Sequence, residues 1–248
     1  LPILENNYAE AAMVAPDDSR VATETISFPG ATGELTGYLA RPAEVGGKLP
    51  AVLVIHENRG LNPHIEDVTR RLALEGFVAL GVDFLSPLGG TPAGDEDKAR
   101  EMIGQLDSIE TVQNAVAAVN YLSGHPATTG KVGAVGFCWG GAMANQVAVN
   151  AEAVNATVAY YGRQPAASEV GRIRAKMMLH YAGLDERINA GIPDFKSALD
   201  ANGVAYELFT YENANHAFNN DTNAARYDAK AAEIAWGRTV NFFKQNLM

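Results

Sequence analysis

The stretch VGFCWGGAMA, from Val135 to Ala144, contains the only cysteine of the 248-residue chain. A solitary cysteine is most often a small buried apolar residue. Cys138, however, ends an apolar run typical of a buried strand and precedes GGAMANQVAVN, a pattern typical of a helix. With Gly136 and Gly140 it forms G-x-C-x-G, the cysteine version of the nucleophile turn G-x-S-x-G. The pattern therefore predicts a sharp strand-to-helix turn with Cys138 at its tip.

The requirements of such a turn favour a reactive sulfur over a buried one. The chain reverses direction within about one residue, so side chains at Gly136 and Gly140 would collide with neighbouring elements. The sulfur lies over the N-terminal end of the following helix, where partial positive charge favours a thiolate. The N–H of Trp139 is then placed to stabilise an oxyanion. We interpret Cys138 as a nucleophile, with a buried core cysteine as the alternative.

The segments around this turn alternate between strand-like and helical patterns. Strand-like runs, the first two joined as a hairpin, occur at 24–30, 34–42, 49–56, 77–84, 132–138, 156–162, 176–183 and 205–212. Helical spacing of apolar residues marks 65–76, 108–122 and 222–246, the last after the candidate caps Asp221 and Thr222. This alternation predicts one α/β domain over residues 21–248, with about eight mostly parallel strands and helices on both faces, after a flexible segment at 1–20.

Composition and charge restrict the partners of this domain. The net charge is −10 and no basic cluster is present, which argues against binding to nucleic acid or to anionic membranes. No apolar stretch is long enough to cross a bilayer. We expect a small-molecule substrate, no cofactor, and a monomer or small homo-oligomer.

The first residues of the sequence bear on localisation. Ala9, Glu10 and Ala11 form an A-x-A pattern of the kind that ends secretory signals. A flexible alanine-rich tail is the other interpretation of this segment. We expect an exported, periplasmic protein, with a cytoplasmic location as the alternative.

A thiol nucleophile needs a base, and the base needs an acid that orients it. In the α/β-hydrolase order the acid follows the nucleophile and the histidine comes last. Of the five histidines, His216 lies in ENANHAFNND, between the last strand and the last helix, where this base belongs. Asp185 follows the strand at 176–183 and is the expected acid, with Glu186 and Asp194 as alternatives.

One further carboxylate stands at the end of a core strand. The segment VIHENRG places Glu57 in a loop that supplies an oxyanion N–H in this architecture. A zinc motif HExxH would need a histidine where the chain has Gly60, so no metal site is indicated. Glu57 is therefore a candidate for the site, with a solvated loop residue as the alternative.

Five motifs that occur in matching order give this chain a family resemblance. GFCWGG, HENRGL, YYG, GLDERI and HAFNND resemble those of the dienelactone hydrolases, or carboxymethylenebutenolidases, which are members of the α/β-hydrolase superfamily. The resemblance extends from about residue 21 to residue 246. It implies an eight-stranded sheet without a large cap and a hydrolase of lactones or small carboxylic esters. Members with a segment of the HENRGLNPHIED type often carry export signals, which favours the periplasmic expectation.

The resemblance also implies roles for particular residues. The catalytic triad would be Cys138, Asp185 and His216, and acyl transfer would pass through a thioacyl-enzyme. Glu57 would correspond to the glutamate that holds the resting thiol protonated and helps to deprotonate it when substrate arrives. The backbone N–H groups of Asn58 and Trp139 would form the oxyanion hole.

The residues that hold the substrate differ from the family pattern. The family's well-studied enzymes hold a substrate carboxylate with two arginines, one of them four residues after the histidine, where this chain has Asn220. Arg100 matches the other arginine. Arg59 and Arg163 lie at strand ends and are alternatives, and Tyr161 is a further candidate contact. We expect neutral lactones or esters to be hydrolysed as well as anionic ones.

Two other functions are compatible with the same motifs. One is a broad-specificity esterase that also accepts other electrophiles, which the sequence does not separate from a lactone hydrolase. The other is a redox module with Cys138 as a sensor thiol. Redox sensing usually requires a second cysteine that resolves the oxidised form, and the chain has only one.

Overall fold

A computed structural model describes residues 12–248, and its centre is a sheet of eight strands. The strands are β1 (Val21–Pro29), β2 (Glu34–Pro42), β3 (Leu49–Ile55), β4 (Val78–Asp83), β5 (Thr128–Phe137), β6 (Val154–Tyr160), β7 (Lys176–Ala182) and β8 (Tyr206–Tyr211). Each of them overlaps one of the strand-like runs of the sequence. The predicted eight-stranded α/β fold is therefore confirmed.

The strand order brings particular loops to one edge of the sheet. The order is β1-β2-β4-β3-β5-β6-β7-β8, and β2 pairs antiparallel with both β1 and β4. All other neighbouring strands pair parallel. The C-terminal ends of β3 to β8 therefore share one edge, which is where open α/β sheets bind ligands. Because β5 lies between β3 and β6, the turn that carries Cys138 follows a central strand of the sheet.

The helices cover both faces of the sheet. They are α1 (Pro63–Leu74), α2 (Glu96–Ile103), α3 (Ser108–Gly124), α4 (Trp139–Asn150), α5 (Glu186–Asn189), α6 (Ile192–Ala201) and α7 (Ala229–Leu247). Leu53 of β3 lies in a core with residues of α3, α4 and α6, whereas the next residue, Val54, lies in a core with residues of α1 and α7. Successive strand residues point to opposite faces, so these are the two sides of the sheet.

The segment between β4 and α3 contains, among the described residues, only the short helix α2 and a 3-10 turn at Ser86–Leu88. No large cap therefore covers the C-terminal edge within residues 12–248, in agreement with the family resemblance. In the same part of the chain, no helix combines the length and the apolar composition that a membrane span needs.

The start of the last helix differs from the sequence prediction. Helix α7 begins at Ala229 rather than at residue 222, and its cap is Asp228, which accepts a hydrogen bond from the Ala231 N–H at 3.0 Å. The carboxylate of Asp221, one of the two predicted caps, instead contacts side chains of α1. The predicted helix start at 222 is wrong because this carboxylate is occupied elsewhere.

The N-terminal segment contacts α1 where it enters the described residues. The N–H groups of Met13 and Val14 donate hydrogen bonds to the Asp67 carboxylate at 3.2 Å and 2.8 Å. The Arg70 Nε–H donates to the Val14 carbonyl at 2.8 Å, and Val14 is buried. The A-x-A pattern at 9–11 lies outside the described residues, so the predicted signal remains an expectation.

The turn between β5 and α4 leaves no room for side chains beside Cys138. A Cβ atom at Gly136 would overlap the carbonyl oxygen of Gly140. A Cβ atom at Gly140 would overlap the carbonyl oxygens of Ile55 and His56, at the end of the neighbouring strand β3. Cys138 itself has a φ of 57°, which L-residues rarely adopt. Both glycines of the G-x-C-x-G pattern are therefore required by close backbone packing.

This packing predicts a large stability difference between two glycine-to-alanine variants. Gly136→Ala should lower the free energy of unfolding by about 3 kcal/mol, because the new methyl group forces backbone atoms apart. Gly237→Ala is the control, since it lies within α7 and a Cβ there would meet no atom within 4 Å. It should raise the free energy of unfolding by about 0.5–1 kcal/mol. Urea unfolding followed by circular dichroism measures both, and equal stability of the two variants would contradict the turn geometry.

Candidate active site

A cavity of about 330 Å³ opens at the C-terminal edge of the sheet, beside Cys138. It is lined by residues from the loop after β3, from α2, from the β5–α4 turn, from α5 and from the segment between β8 and α7. These residues are Glu57, Asn58, Arg59, Arg100, Cys138, Arg187, His216, Ala217, Asn220, Asn223 and Arg226. Five elements of the chain that are far apart in sequence therefore meet around one sulfur atom.

The backbone around Cys138 fixes the position of its sulfur. The Cys138 N–H donates a hydrogen bond to the Tyr160 carbonyl at 3.0 Å, and the Cys138 carbonyl accepts from the Ala142 N–H at 3.2 Å. The first bond ties the turn to β6, and the second is the first hydrogen bond of helix α4. The backbone N–H of Trp139 is close enough to the sulfur to lower the pKa of Cys138. The sulfur thus lies at the N-terminal end of α4, as the turn motif predicts.

The surroundings of Cys138 favour the protonated thiol. Burial, followed by the negative charge of Glu57, raises the pKa of Cys138 to about 11. The hydrogen bond from Trp139 and the charge of Arg187 act in the opposite direction, and Asp185 adds a smaller increase. The helix end thus favours the thiolate, as expected from the sequence, but burial and Glu57 outweigh it. At neutral pH the resting sulfur is a thiol.

His216 is oriented by Asp185. The Nδ1 atom of His216 lies 2.5 Å from Oδ2 of Asp185. Asp185 is the third residue after β7 and the cap of α5, and its Oδ1 accepts from the Ile188 N–H at 3.4 Å. Of the three acids considered from the sequence, the structure brings Asp185 to His216, while Asp194 lines a different cavity. With Nδ1 occupied, Nε2 is the His216 nitrogen that remains for chemistry.

Glu57 is a buried residue, so its interpretation as a solvated loop residue is wrong. It is 5% exposed, and its Oε2 accepts a hydrogen bond from Asn220 Nδ2 at 2.6 Å. Its Oε1 is buried and has no hydrogen-bond partner among the described residues. A buried carboxylate oxygen without a partner is unfavourable unless it serves a purpose. This atom is therefore available to exchange a proton or to bind a ligand group.

His56 holds the loop that carries Glu57 and Asn58. Its Nδ1 lies 2.6 Å from the Glu57 carbonyl, and its Nε2 lies 3.3 Å from the backbone nitrogen of Phe84. These partners require a neutral ring with its proton on Nδ1, and burial lowers the pKa of His56. The ring also stacks on Trp139 at 5.2 Å between centroids. His56 thus connects the loop after β3 to the turn after β5.

Four arginine side chains line the cavity, and two of them were not anticipated. Arg59 is paired with Glu96, and Arg100 contacts Asp97 at 3.1 Å. Arg187 and Arg226 form no ion pair within residues 12–248 at a distance of 4.0 Å or less. Arg187 follows Asp185 by two residues, which could have drawn attention to it. Arg226 lies in the segment that sequence patterns assigned to a helix.

Two predicted substrate contacts lie outside this cavity. Arg163 is exposed and lines a separate cavity of about 570 Å³ together with Gln164 and Phe195. Tyr161 is buried behind His216, with 5.0 Å between the ring centroids, and its hydroxyl has no partner among the described residues. The structure therefore does not bring Arg163 to the site, and it places Tyr161 behind the candidate base.

Comparisons with known proteins bear on the family of this chain. A model of the dienelactone hydrolase family matches residues 35–247. A provisionally named carboxymethylenebutenolidase of Methylorubrum extorquens is 31% identical over 251 residues, which cover 96% of this chain and 86% of that protein. A provisionally named 2-oxo-3-(5-oxofuran-2-ylidene)propanoate lactonase of a Bradyrhizobium species is 33% identical over 245 residues, with coverage of 92% and 98%.

A solved structure gives the same result for the fold. The crystal structure of a provisionally named dienelactone hydrolase from Klebsiella pneumoniae superposes with a TM-score of 0.82 at 25% sequence identity. The match covers 91% of this chain and 99% of that chain. The sheet and its helices therefore correspond over nearly the whole domain.

The electrostatics of Cys138 predict its reactivity toward iodoacetamide. Because the pKa of the thiol is about 11, the thiolate fraction and the alkylation rate should rise about tenfold per pH unit from pH 7 to 10. Glu57→Gln removes a charge that opposes ionisation, so this variant should alkylate about tenfold faster at neutral pH. Glu110→Gln, on the exposed side of α3, is the matched control and should behave as wild type. Equal rates for Glu57→Gln and wild type would place the Glu57 charge outside the reach of the sulfur.

Proposed function

This chain is a hydrolase of the dienelactone hydrolase family, and on that premise we propose that it cleaves lactones or small carboxylic esters with Cys138, His216 and Asp185 as its triad. One observation carries the proposal: Cys138 and His216 line one cavity, and His216 is hydrogen-bonded to Asp185 at 2.5 Å. The order of these three residues in the chain is that of the α/β-hydrolases. The product of the first half-reaction is a thioester on Cys138.

The first half-reaction begins with removal of the thiol proton. Glu57 Oε1, which has no hydrogen-bond partner among the described residues, accepts the proton of Cys138 and passes it to Nε2 of His216. The thiolate attacks the carbonyl carbon, and the oxyanion accepts hydrogen bonds from the N–H groups of Asn58 and Trp139. The carbon–oxygen bond of the ester then breaks, and His216 gives its proton to the leaving oxygen. Asp185 stabilises the imidazolium in the interval.

The second half-reaction uses the same groups on a water molecule. His216 removes a proton from water, and the hydroxide attacks the thioester carbonyl. The carbon–sulfur bond breaks, the acid product forms, and the proton on His216 returns to the sulfur. Glu57 and burial then keep the resting thiol protonated, which limits its reaction with other electrophiles between turnovers.

The cavity favours a substrate that carries a carboxylate. Four guanidinium groups line it, and within residues 12–248 Arg187 and Arg226 form no ion pair at 4.0 Å or less. The lactone named for the Bradyrhizobium relative is a propanoate, and so an anion. Neutral substrates were expected because Asn220 stands where the family's well-studied enzymes have an arginine. The arginines that line this cavity offer other partners for a substrate carboxylate, so that reason no longer holds. We therefore propose an anionic lactone or ester as the substrate class.

The alternative function as a redox sensor is less compatible with the site. Oxidation by peroxides requires a thiolate, and the pKa of about 11 leaves little of it at neutral pH. A second cysteine that could resolve a sulfenic acid is also absent from the sequence. A broad esterase, in contrast, would use the same triad. The ratio of kcat/KM for an anionic substrate to kcat/KM for a neutral one distinguishes a broad esterase from an enzyme specific for anions.

Replacement of the nucleophile tests the mechanism. Cys138→Ala should lower kcat/KM for p-nitrophenyl acetate by at least about a thousandfold, because covalent catalysis is lost while the oxyanion N–H groups remain. Circular dichroism should remain unchanged, since the methyl group of alanine occupies the position of the cysteine Cβ. Retention of more than about a tenth of the wild-type activity would exclude Cys138 as the nucleophile.

A pair of substrates tests the anionic preference. The kcat/KM for a carboxylated lactone should exceed that for its neutral methyl ester by about tenfold to a hundredfold, because a charge-assisted hydrogen bond contributes about 1.5–3 kcal/mol. Arg187→Ala should reduce this ratio, whereas Arg163→Ala, outside the cavity, should leave it as in wild type. A ratio near one in the wild-type protein would favour a broad esterase instead.

A further inference from the structure

The side-chain amide of Asn220 is held at both of its ends. Its Oδ1 accepts hydrogen bonds from the backbone N–H of Thr222 at 3.0 Å and from the Thr222 hydroxyl at 2.6 Å. A backbone N–H is only a donor, so the oxygen end of the amide must face Thr222. The NH₂ end therefore faces Glu57 and donates to its Oε2 at 2.6 Å.

The loop that carries Asn220 is itself anchored to helix α1. The next residue, Asp221, contacts His64 Nδ1 at 3.0 Å through one oxygen and Arg71 through the other. Arg71 is also paired with Asp67, which is buried. All of these contacts join groups of the protein itself. The amide of Asn220 is therefore held by the protein and needs no ligand to fix its position.

We propose that Asn220 is a positioning residue that fixes the Glu57 carboxylate beside Cys138 and leaves Oε1 free to exchange the thiol proton. For its effect on turnover, this inference rests on the proposed function. An arginine at this position would also donate to Glu57, but its charge would offset the negative charge that keeps the thiol protonated. The amide holds the carboxylate without neutralising it. Asn220 stands where the family's well-studied enzymes have an arginine that holds the substrate. In this chain the residue at that position acts on Glu57 instead.

The cavity contains groups that would draw Glu57 away if Asn220 did not hold it. Arg59, Arg187 and Arg226 line the same cavity, and a freed carboxylate would be attracted to their guanidinium groups. The groups that act on the ionisation of Cys138 are Glu57, Arg187 and Asp185, together with the Trp139 N–H. Burial, followed by the charges of Glu57 and Cys138, raises the pKa of Tyr161. Movement of the Glu57 carboxylate would remove the largest opposing charge from the sulfur.

The test is the pH profile of iodoacetamide alkylation, because Cys138 is the only cysteine. Asn220→Ala should shift the profile toward that of Glu57→Gln, with up to about tenfold faster alkylation at neutral pH and slower ester turnover. Thr222→Val removes one donor to Asn220 at an exposed position and should cause a smaller shift in the same direction. This second variant carries the test if Asn220→Ala fails to fold. Asn202→Ala, at the exposed C-terminal end of α6 and outside the cavity, is the matched control and should keep the wild-type alkylation profile.

A double variant decides whether Asn220 acts through Glu57. In the Glu57→Gln background, Asn220→Ala should cause no further change in alkylation, because the group that it positions has lost its charge. The inference is overturned if the alkylation profiles of Asn220→Ala and Thr222→Val equal wild type, or if Asn220→Ala has its full effect in the absence of the Glu57 charge. Alkylation does not require turnover. Loss of the proposed function, seen as full activity of Cys138→Ala, is therefore distinguishable from failure of this inference.

Discussion

The close approach of backbone atoms at the β5–α4 turn is the constraint on which the site depends. Cys138 adopts a φ of 57°, a conformation that costs a non-glycine residue about 1–3 kcal/mol. The turn remains in this state because Gly136 and Gly140 let three backbone segments touch, and because the Cys138 N–H is bonded to β6. A relaxed turn would direct the sulfur elsewhere. The strain is thus the condition for a sulfur that projects into the cavity with a helix end beneath it.

The sheet order explains why the remaining groups arrive at this sulfur. The strands β3, β5, β6, β7 and β8 are consecutive neighbours, so the loops that leave them lie side by side at one edge. Glu57 follows β3, Asp185 follows β7 and His216 follows β8. Each group is held by its own local partner: the loop of Glu57 by His56, Asp185 by the start of α5, and His216 by Asp185. The loop of Glu57 and the side chain of Asp185 are therefore positioned by separate partners, whereas the orientation of His216 depends on Asp185.

The sequence was informative where a pattern maps directly onto a backbone position. Strand-like runs, four of them near-continuously apolar, identified all eight strands. The order of the motifs and their places after strands indicated Cys138, Asp185 and His216 without knowledge of side-chain contacts. Side-chain direction was not accessible in this way. Arg163 lies as close to a strand end as the other candidates, yet its side chain is outside the cavity. Arg226 lies inside it because helix α7 begins seven residues later than the helical spacing predicts, and the intervening segment folds back toward the sheet edge.

The balance of charges in the cavity explains why a neutral asparagine, rather than an arginine, suits position 220. The chain carries a net charge of −10, yet this cavity holds four arginines against a single buried glutamate that faces the thiol. In such a field an unrestrained Glu57 would pair with an arginine, and the thiol would lose the charge that keeps it protonated. We propose that a neutral donor on one carboxylate oxygen prevents this pairing and keeps the arginines available for an anionic ligand. On that proposal, protection of the thiol and recognition of a carboxylate depend on the same restraint, because both would fail once Glu57 bound a guanidinium group.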